Sequence, residues 1–193
     1  MKKGIIMVLC VLLAVALVVI GVISFKDDSN KNTDITSDVT SSPESSAAVS
    51  PEPDSGTLKM ADDFTLTDLN GNQVTLSELK GKNVFLNFFA TWCSPCKREL
   101  PDIQKIEEEY KDKDLLVYLV DLGEDENTVK EFLKKNNYTF NVLMDINSDA
   151  GNLYRTTEIP TSFFINKEGR IVVRHTSIMT YEQMKNNVEK LYK

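Results

Sequence analysis

The strongest constraint on this chain is a pair of cysteines, Cys93 and Cys96, that follows a mostly apolar run at residues 84–90. Such a run predicts a buried strand, and the cysteines then open a helix. Two thiols at this spacing lie within one helical turn, so they can close a disulfide. The unpaired N–H groups and the dipole at a helix N-terminus favour a thiolate, which predicts a reactive Cys93.

A purely structural disulfide is the competing interpretation of this pair. A bridge that closes so short a loop removes little freedom from the unfolded chain and therefore adds little stability. We therefore favour a redox role. The third cysteine, Cys10, lies within the uncharged run at residues 4–25 and is interpreted as a membrane-buried residue.

Residues 4–25 carry no charge and are dominated by Val, Leu and Ile. As a helix they would be about 33 Å long, which is enough to cross a bilayer. Lysines precede the run and aspartates follow it, so we expect a cytoplasmic N-terminus and an extracytoplasmic remainder. We favour an uncleaved signal-anchor over residues 1–25, because a cleaved signal peptide usually has a shorter apolar core.

Residues 26–57 are rich in Ser, Thr, Asp and Pro and contain no aromatic residue, which predicts a disordered tether. Residues 58–193 have the apolar periodicity of one globular domain. The formal net charge is −7 and no basic patch stands out, which disfavours nucleic acid as a partner. We expect the protein to be a monomer.

The domain alternates predicted strands and helices, as an α/β fold does. Asn70-Gly71 marks a first hairpin, and Thr180 with Gln183 forms a capping box at the start of the last helix. The predicted order is hairpin, strand, helix, strand, helix, strand, short helix, hairpin and helix. Strand–helix–strand units imply parallel pairs, and the late hairpin adds antiparallel strands. We expect a mixed sheet with helices on both faces.

Two segments resemble the TlpA/ResA type of thioredoxin-fold protein: residues 84–97, with their Trp-Cys-x-Pro-Cys, and residues 158–166, with their Ile-Pro-Thr. The resemblance implies a thioredoxin-like fold with an extra N-terminal β-hairpin. It also implies a membrane-tethered, extracytoplasmic thiol–disulfide oxidoreductase that acts on protein disulfides, such as those of apocytochrome c. Its electrons would come from a membrane partner of the CcdA type. Beyond the cysteine pair, we expect no cofactor and no metal.

The cysteine turn has distinct expected roles. Cys93 would attack a substrate disulfide and Cys96 would resolve the mixed disulfide. Pro95 stiffens the turn because its ring fixes φ. Trp92 would either contact substrate or pack as an ordinary core aromatic residue. Ser94 stands where ResA-like proteins carry an acid between the cysteines.

The resemblance also implies a substrate-binding segment at Ile159, Pro160 and Thr161. Pro160 corresponds to the family's cis-proline, which faces the cysteines. The backbone of Ile159, just before it, would contact substrate. An ordinary proline at the start of a strand is the alternative, because few X–Pro bonds in folded proteins are cis.

Proton transfer in this family depends on acidic residues. Thioredoxins bury an aspartate below the cysteines, but Asn87 stands at that position and cannot titrate. ResA-like proteins use a carboxylate after the second central strand, and Glu124 matches it. Glu124 would move a proton to or from Cys96. Alternatively, it is an acid at a helix start, favoured by the dipole.

Three other functions compete with a reductase. A disulfide-forming oxidase would use the same residues with a more oxidising pair. A copper-binding module of the Sco kind normally has a longer cysteine spacing and a histidine ligand. A peroxiredoxin normally has a threonine three residues before its reactive cysteine, where Ala90 stands here.

Overall fold

The computed structural model describes residues 58–193. The predicted anchor at residues 1–25, with Cys10, and the predicted tether at residues 26–57 lie outside the described residues. Within the described part, no helix is both long enough and apolar enough to span a membrane.

Within residues 58–193, seven strands and four helices follow one another in the predicted order. The strands are β1 (Thr65–Asp68), β2 (Gln73–Thr75), β3 (Asn83–Phe89), β4 (Leu115–Leu122), β5 (Asn141–Asp145), β6 (Thr161–Ile165) and β7 (Ile171–Thr176). The helices are α1 (Ser94–Tyr110), α2 (Glu126–Asn136), α3 (Asp149–Leu153) and α4 (Tyr181–Glu189). Two 3₁₀ turns, Leu76–Leu79 and Lys190–Tyr192, follow β2 and α4.

All strands join one mixed sheet in the order β2-β1-β5-β4-β3-β6-β7. Strands β3, β4 and β5 are parallel, and the remaining pairs are antiparallel. Every residue of β3 is buried, because this strand lies between β4 and β6 and both of its faces are covered. The predicted thioredoxin-like fold with its N-terminal hairpin is confirmed.

Helices cover both faces of the sheet. On one face, which we call the dithiol face, Phe85 and Phe89 of β3 pack with apolar residues of α1, α2 and α4 and with both cysteines. On the other, which we call the aromatic face, Leu86 and Phe88 pack with α3 and the first 3₁₀ turn. The alternation of side chains along β3 thus separates two hydrophobic clusters.

The first described residues lie at the end of the sheet away from the cysteines. Met60 forms a bridge with Arg170, in the turn between β6 and β7. Because β6 runs antiparallel to β3, this turn lies beside the beginning of β3, whereas Cys93 follows the end of β3. The Tyr192 hydroxyl donates a hydrogen bond to the Lys113 carbonyl, just before β4, so the last described residues lie at the same end.

Candidate active site

Cys93 and Cys96 form a disulfide at the N-terminus of α1, with their Cα atoms 5.3 Å apart. Cys93 is the N-cap of the helix and has extended backbone angles. Its side chain is 4% exposed, whereas Cys96 is fully buried. An incoming thiolate or disulfide therefore reaches the Cys93 sulfur first.

The surroundings of the Cys93 sulfur favour a negative charge once the disulfide is reduced. The backbone N–H of Cys96 points at Cys93 Sγ, with an N···S distance of 3.2 Å. The N-terminal end of the α1 dipole acts in the same direction. Both effects stabilise a thiolate at Cys93, the reactive form of a cysteine.

A second loop brings the predicted substrate-binding segment beside this sulfur. The Ile159–Pro160 peptide bond is cis, as predicted. The carbonyl oxygen of Ile159 lies 3.7 Å from Cys93 Sγ. Thr161 Oγ1 donates a 2.6 Å hydrogen bond to the Glu158 carbonyl and so closes the loop on itself.

The residues of the cysteine turn differ in exposure. The Trp92 ring is 67% exposed, so its interpretation as a core aromatic residue is wrong. Ser94 is exposed and Pro95 is half-buried in the first turn of α1. Trp92 is therefore available to a docking protein, although its predicted contact with substrate stays a prediction.

Glu124 lies on the loop between β4 and α2 and faces the turn before Cys93. Its carboxylate accepts hydrogen bonds from Thr91, at 2.5 Å from the backbone nitrogen and 2.6 Å from the hydroxyl. Asp125, not Glu124, caps α2, by accepting from the Thr128 backbone N–H. The helix-start interpretation thus fits Asp125, and the proton-transfer role of Glu124 stays a prediction.

A buried carboxyl that the sequence analysis missed lies one turn beyond Cys96. Glu99 is 1% exposed. Its oxygens accept hydrogen bonds from Asn87 Nδ2 at 2.8 Å and from the Met179 backbone nitrogen at 3.0 Å. Burial raises the pKa of Glu99 to about 7, although both hydrogen bonds oppose the shift. Glu99 therefore titrates near neutral pH beside the dithiol.

The periodicity of α1 contained a signal for Glu99. Cys96, Leu100 and Ile103 share the buried side of the helix, and Glu99 is three residues after the first of them. A carboxyl that is buried on an apolar helix face needs a hydrogen-bond partner. Here that partner is Asn87, the residue at the position of the thioredoxin aspartate.

A second buried carboxyl, Asp121, is the next-to-last residue of β4 and lies on the dithiol face. It is fully buried, between Phe89 of β3 and Met144 of β5. Its Oδ1 accepts a 3.0 Å hydrogen bond from the Glu124 backbone nitrogen, and its Oδ2 has no partner among the described residues. Burial, followed by the nearby Glu124 side chain, raises the pKa of Asp121 well above its ordinary value.

The structure thus brings the predicted residues together around the N-terminus of α1. Ile159 contacts Cys93, and Glu124 holds Thr91, two residues before Cys93. Within residues 58–193, no group of three or more His, Cys, Asp or Glu side chains is arranged to hold a metal ion.

Comparisons with known proteins agree with this geometry. Residues 57–174 match the AhpC/TSA family. The thiol-disulfide oxidoreductase ResA of Bacillus cereus is 38% identical over 133 residues, which cover 69% of this chain and 77% of that protein.

Two solved structures have the same fold. StoA from Bacillus subtilis has a TM-score of 0.58 and 29% identity, over 65% of this chain and 96% of that one. The pneumococcal exposed lipoprotein thioredoxin Etrx1, from Streptococcus pneumoniae, has a TM-score of 0.61 and 33% identity, over 67% of this chain and 100% of that one. These matches agree with the disulfide at the N-terminus of α1. The chain belongs to the AhpC/TSA family and, within it, to the ResA-like thiol–disulfide oxidoreductases.

Proposed function

We propose that the Cys93–Cys96 pair reduces disulfides of exported proteins. The observation that carries this proposal is the environment of Cys93 Sγ. It is the less buried sulfur, it receives the Cys96 N–H, and it lies beside the Ile159 carbonyl. A nucleophile needs ionisation, which the Cys96 N–H favours, and access, which is greater at Cys93 than at Cys96.

The proposed reaction transfers two electrons in two exchanges. The Cys93 thiolate attacks one sulfur of the substrate disulfide, the substrate S–S bond breaks, and the leaving thiolate takes up a proton. The Cys96 thiol then loses its proton and attacks Cys93 Sγ. This second attack forms the Cys93–Cys96 disulfide and releases the reduced substrate. An external dithiol donor returns two electrons to the domain.

The second attack needs a group that accepts the Cys96 proton. We propose Glu99, because its carboxyl is buried one helical turn beyond Cys96 and its pKa is raised to about 7. A base with a pKa near the working pH is half ionised and transfers protons effectively in both directions. The sequence predicts Glu124 for this role, but both of its oxygens already accept hydrogen bonds from Thr91. We therefore assign the role to Glu99.

Substrate would dock on the exposed surface around Cys93. The Trp92 ring offers apolar area, and the backbone at Ile159 offers a carbonyl next to the reactive sulfur. An extended substrate segment that pairs with the backbone of Ile159–Thr161 would bring its disulfide onto Cys93. Backbone pairing of this kind depends little on the side chains of the substrate. Several exported proteins are therefore candidates, apocytochrome c among them.

The cellular setting is proposed from the sequence and from relatives. Residues 4–25 would anchor the chain in the cell membrane with the N-terminus in the cytoplasm, and the domain would work outside as a monomer. A membrane protein of the CcdA type would supply electrons. An extracytoplasmic location agrees with the name of the pneumococcal neighbour, an exposed lipoprotein.

Trapping with Cys96→Ala tests the assignment of the two cysteines. The full-length variant should accumulate a mixed disulfide through Cys93, because the resolving thiol is missing. The adduct should vanish on treatment with a small thiol and should be absent from the Cys93→Ala/Cys96→Ala control. If no adduct forms, or if the double variant forms the same one, the assignment is wrong.

Equilibration of the wild-type pair with glutathione tests the direction of the reaction. A reductase should have a potential toward the thioredoxin value of about −270 mV, and an oxidase toward the DsbA value of about −120 mV. A measured value near the latter would replace the reductase proposal by the oxidase alternative.

A further inference from the structure

The four acidic residues at the end of β4 and just after it divide into two pairs with different partners. Asp125 caps α2, and Glu126 pairs with Lys130 along the same helix. Asp121 and Glu124 take no part in that helix. Instead, Glu124 contacts the turn that carries the dithiol, and Asp121 contacts the Glu124 backbone.

Glu124 holds that turn at a single residue, Thr91. Both carboxylate oxygens are used, one for the backbone N–H and one for the hydroxyl. The same turn is closed by a 3.1 Å hydrogen bond from the Cys93 nitrogen to the Ala90 carbonyl. Charge-assisted hydrogen bonds to two donors on one residue fix both its position and its orientation.

Asp121 in turn holds Glu124. Its Oδ1 accepts from the Glu124 backbone N–H at 3.0 Å, and Asp121 itself is fixed within the sheet by β3 and β5. Asp121, Glu124 and Thr91 therefore form a continuous connection from the rigid sheet to the residue two positions before Cys93.

We propose that Asp121 is a positioning residue, which acts through Glu124 and Thr91 to hold the turn that presents Cys93. The inference deepens the proposed function, but its main readout is the reactivity of the Cys93 thiol, which requires no protein substrate.

The charge state of Asp121 follows from its surroundings. The groups that bear on it electrostatically are both acids, Glu124 on the adjoining loop and Asp145 on β5. On the dithiol face, α1 presents Cys96 and Glu99, and these two also become negative when they ionise. Burial, followed by Glu124 and Asp145, keeps the Asp121 carboxyl protonated at neutral pH.

A proton on Asp121 lets the two carboxyls coexist. Protonation removes the negative charge that Asp121 would otherwise place beside Glu124, the group that acts most strongly on it after burial. Glu124 then keeps both hydrogen bonds to Thr91. When the pH rises through the raised pKa of Asp121, two negative charges meet in a buried site, and the hold on Thr91 weakens.

The test compares Asp121→Asn and Asp121→Ala in the full-length, reduced protein. An Asn side chain resembles a neutral Asp, with an acceptor oxygen and an N–H donor, whereas Ala removes the connection. The readout is the rate at which iodoacetamide alkylates Cys93, measured across pH. Asp125→Asn is the matched control, because Asn also caps helices well.

The Asn variant should alkylate at the wild-type rate near neutral pH, but should lack a fall in rate that the wild type shows at alkaline pH. The Ala variant should react about tenfold more slowly at neutral pH, because a displaced turn supports the Cys93 thiolate less well and one pKa unit changes the thiolate fraction about tenfold. The control should match the wild type throughout.

Two results would overturn the inference: an Ala variant with the wild-type rate at every pH, or an Asn variant that keeps the alkaline fall. If the Ala variant does not fold, the pH profile of the Asn variant still decides. Insulin disulfide reduction, measured in parallel on the wild type, tests the proposed function separately, since its absence would leave the alkylation result intact.

Discussion

The two faces of the central sheet treat buried polar groups differently. On the aromatic face, the buried Asp145 has both oxygens partnered by backbone N–H groups at the start of α3. On the dithiol face, Asn87 Oδ1 and Asp121 Oδ2 lack partners among the described residues, and the pKa of Glu99 is raised to about 7.

Aromatic packing occurs on both faces, since Phe85 and Phe164 stack at 4.5 Å on the dithiol face. The aromatic face contains a set of edge-on ring contacts centred on Tyr154, including Tyr154–Phe163 at 4.9 Å and Phe64–Tyr154 at 5.8 Å. Such contacts add to the free energy of burial. Both faces therefore supply apolar packing, whereas the dithiol face also gives up some stability to keep buried titratable groups near the dithiol.

The largest expected effect comes from Phe88→Ala on the aromatic face. Phe88 is fully buried against Tyr154 and Phe163. Loss of its ring should lower the free energy of unfolding by about 3–5 kcal/mol, as measured by urea denaturation. The alkylation rate of Cys93 should not change, and Phe88→Leu should lose less stability. A parallel fall in alkylation rate would show that the two faces are not separable.

A pH-dependent effect is expected from Glu99→Gln on the dithiol face. Because the folded pKa of about 7 exceeds the ordinary 4.5, folding favours the protonated form. The resulting stability is present below the ordinary pKa and is lost as the pH rises through the folded value. As the pH rises from the ordinary pKa to the folded pKa, the free energy of unfolding of the wild type should fall by about 3 kcal/mol through Glu99.

Glu99→Gln should remove the contribution of Glu99 to the pH dependence of the free energy of unfolding, as measured by urea denaturation at several pH values. The matched control is Glu108→Gln, on the exposed side of the same helix, which should leave the wild-type slope intact. An unchanged slope in Glu99→Gln would mean that Glu99 is not the group that makes the dithiol face sensitive to pH.

The smallest effect is expected from Tyr154→Phe, which keeps the ring and removes one hydrogen bond on the aromatic face. The hydroxyl donates to the Asp62 carbonyl at 2.7 Å. Its loss should cost about 1 kcal/mol in thermal or urea denaturation. The pH dependence of stability should be the same as in the wild type, and a change in it would contradict the division between the faces.

Local signals in the sequence predicted most of the fold. The Asn70-Gly71 turn joins β1 to β2, and the capping box of Thr180 and Gln183 is present at α4. The strand–turn–helix around Cys93 also follows from neighbouring residues. Each of these features depends on contacts between residues a few positions apart, so the residue pattern alone is sufficient to predict it.

The carboxyl groups of the site were harder to predict because their partners are distant in the chain. Glu99 depends on Asn87, twelve residues earlier, and on Met179, eighty residues later. Glu124 was predicted as a proton carrier, but its connection to Thr91 spans 33 residues. No local pattern indicates such pairs, although the place of Glu99 on the apolar side of α1 was a signal.

The two ends of the described domain meet far from the dithiol. Leu58 and Lys193 line the same surface hollow, and Arg170 donates a hydrogen bond to the Leu58 carbonyl there. A short linker could therefore join these ends, with the chain reopened at the exposed Gly71 turn. Such a circular permutant should keep its redox centre, since neither the new junction nor the new termini approach it.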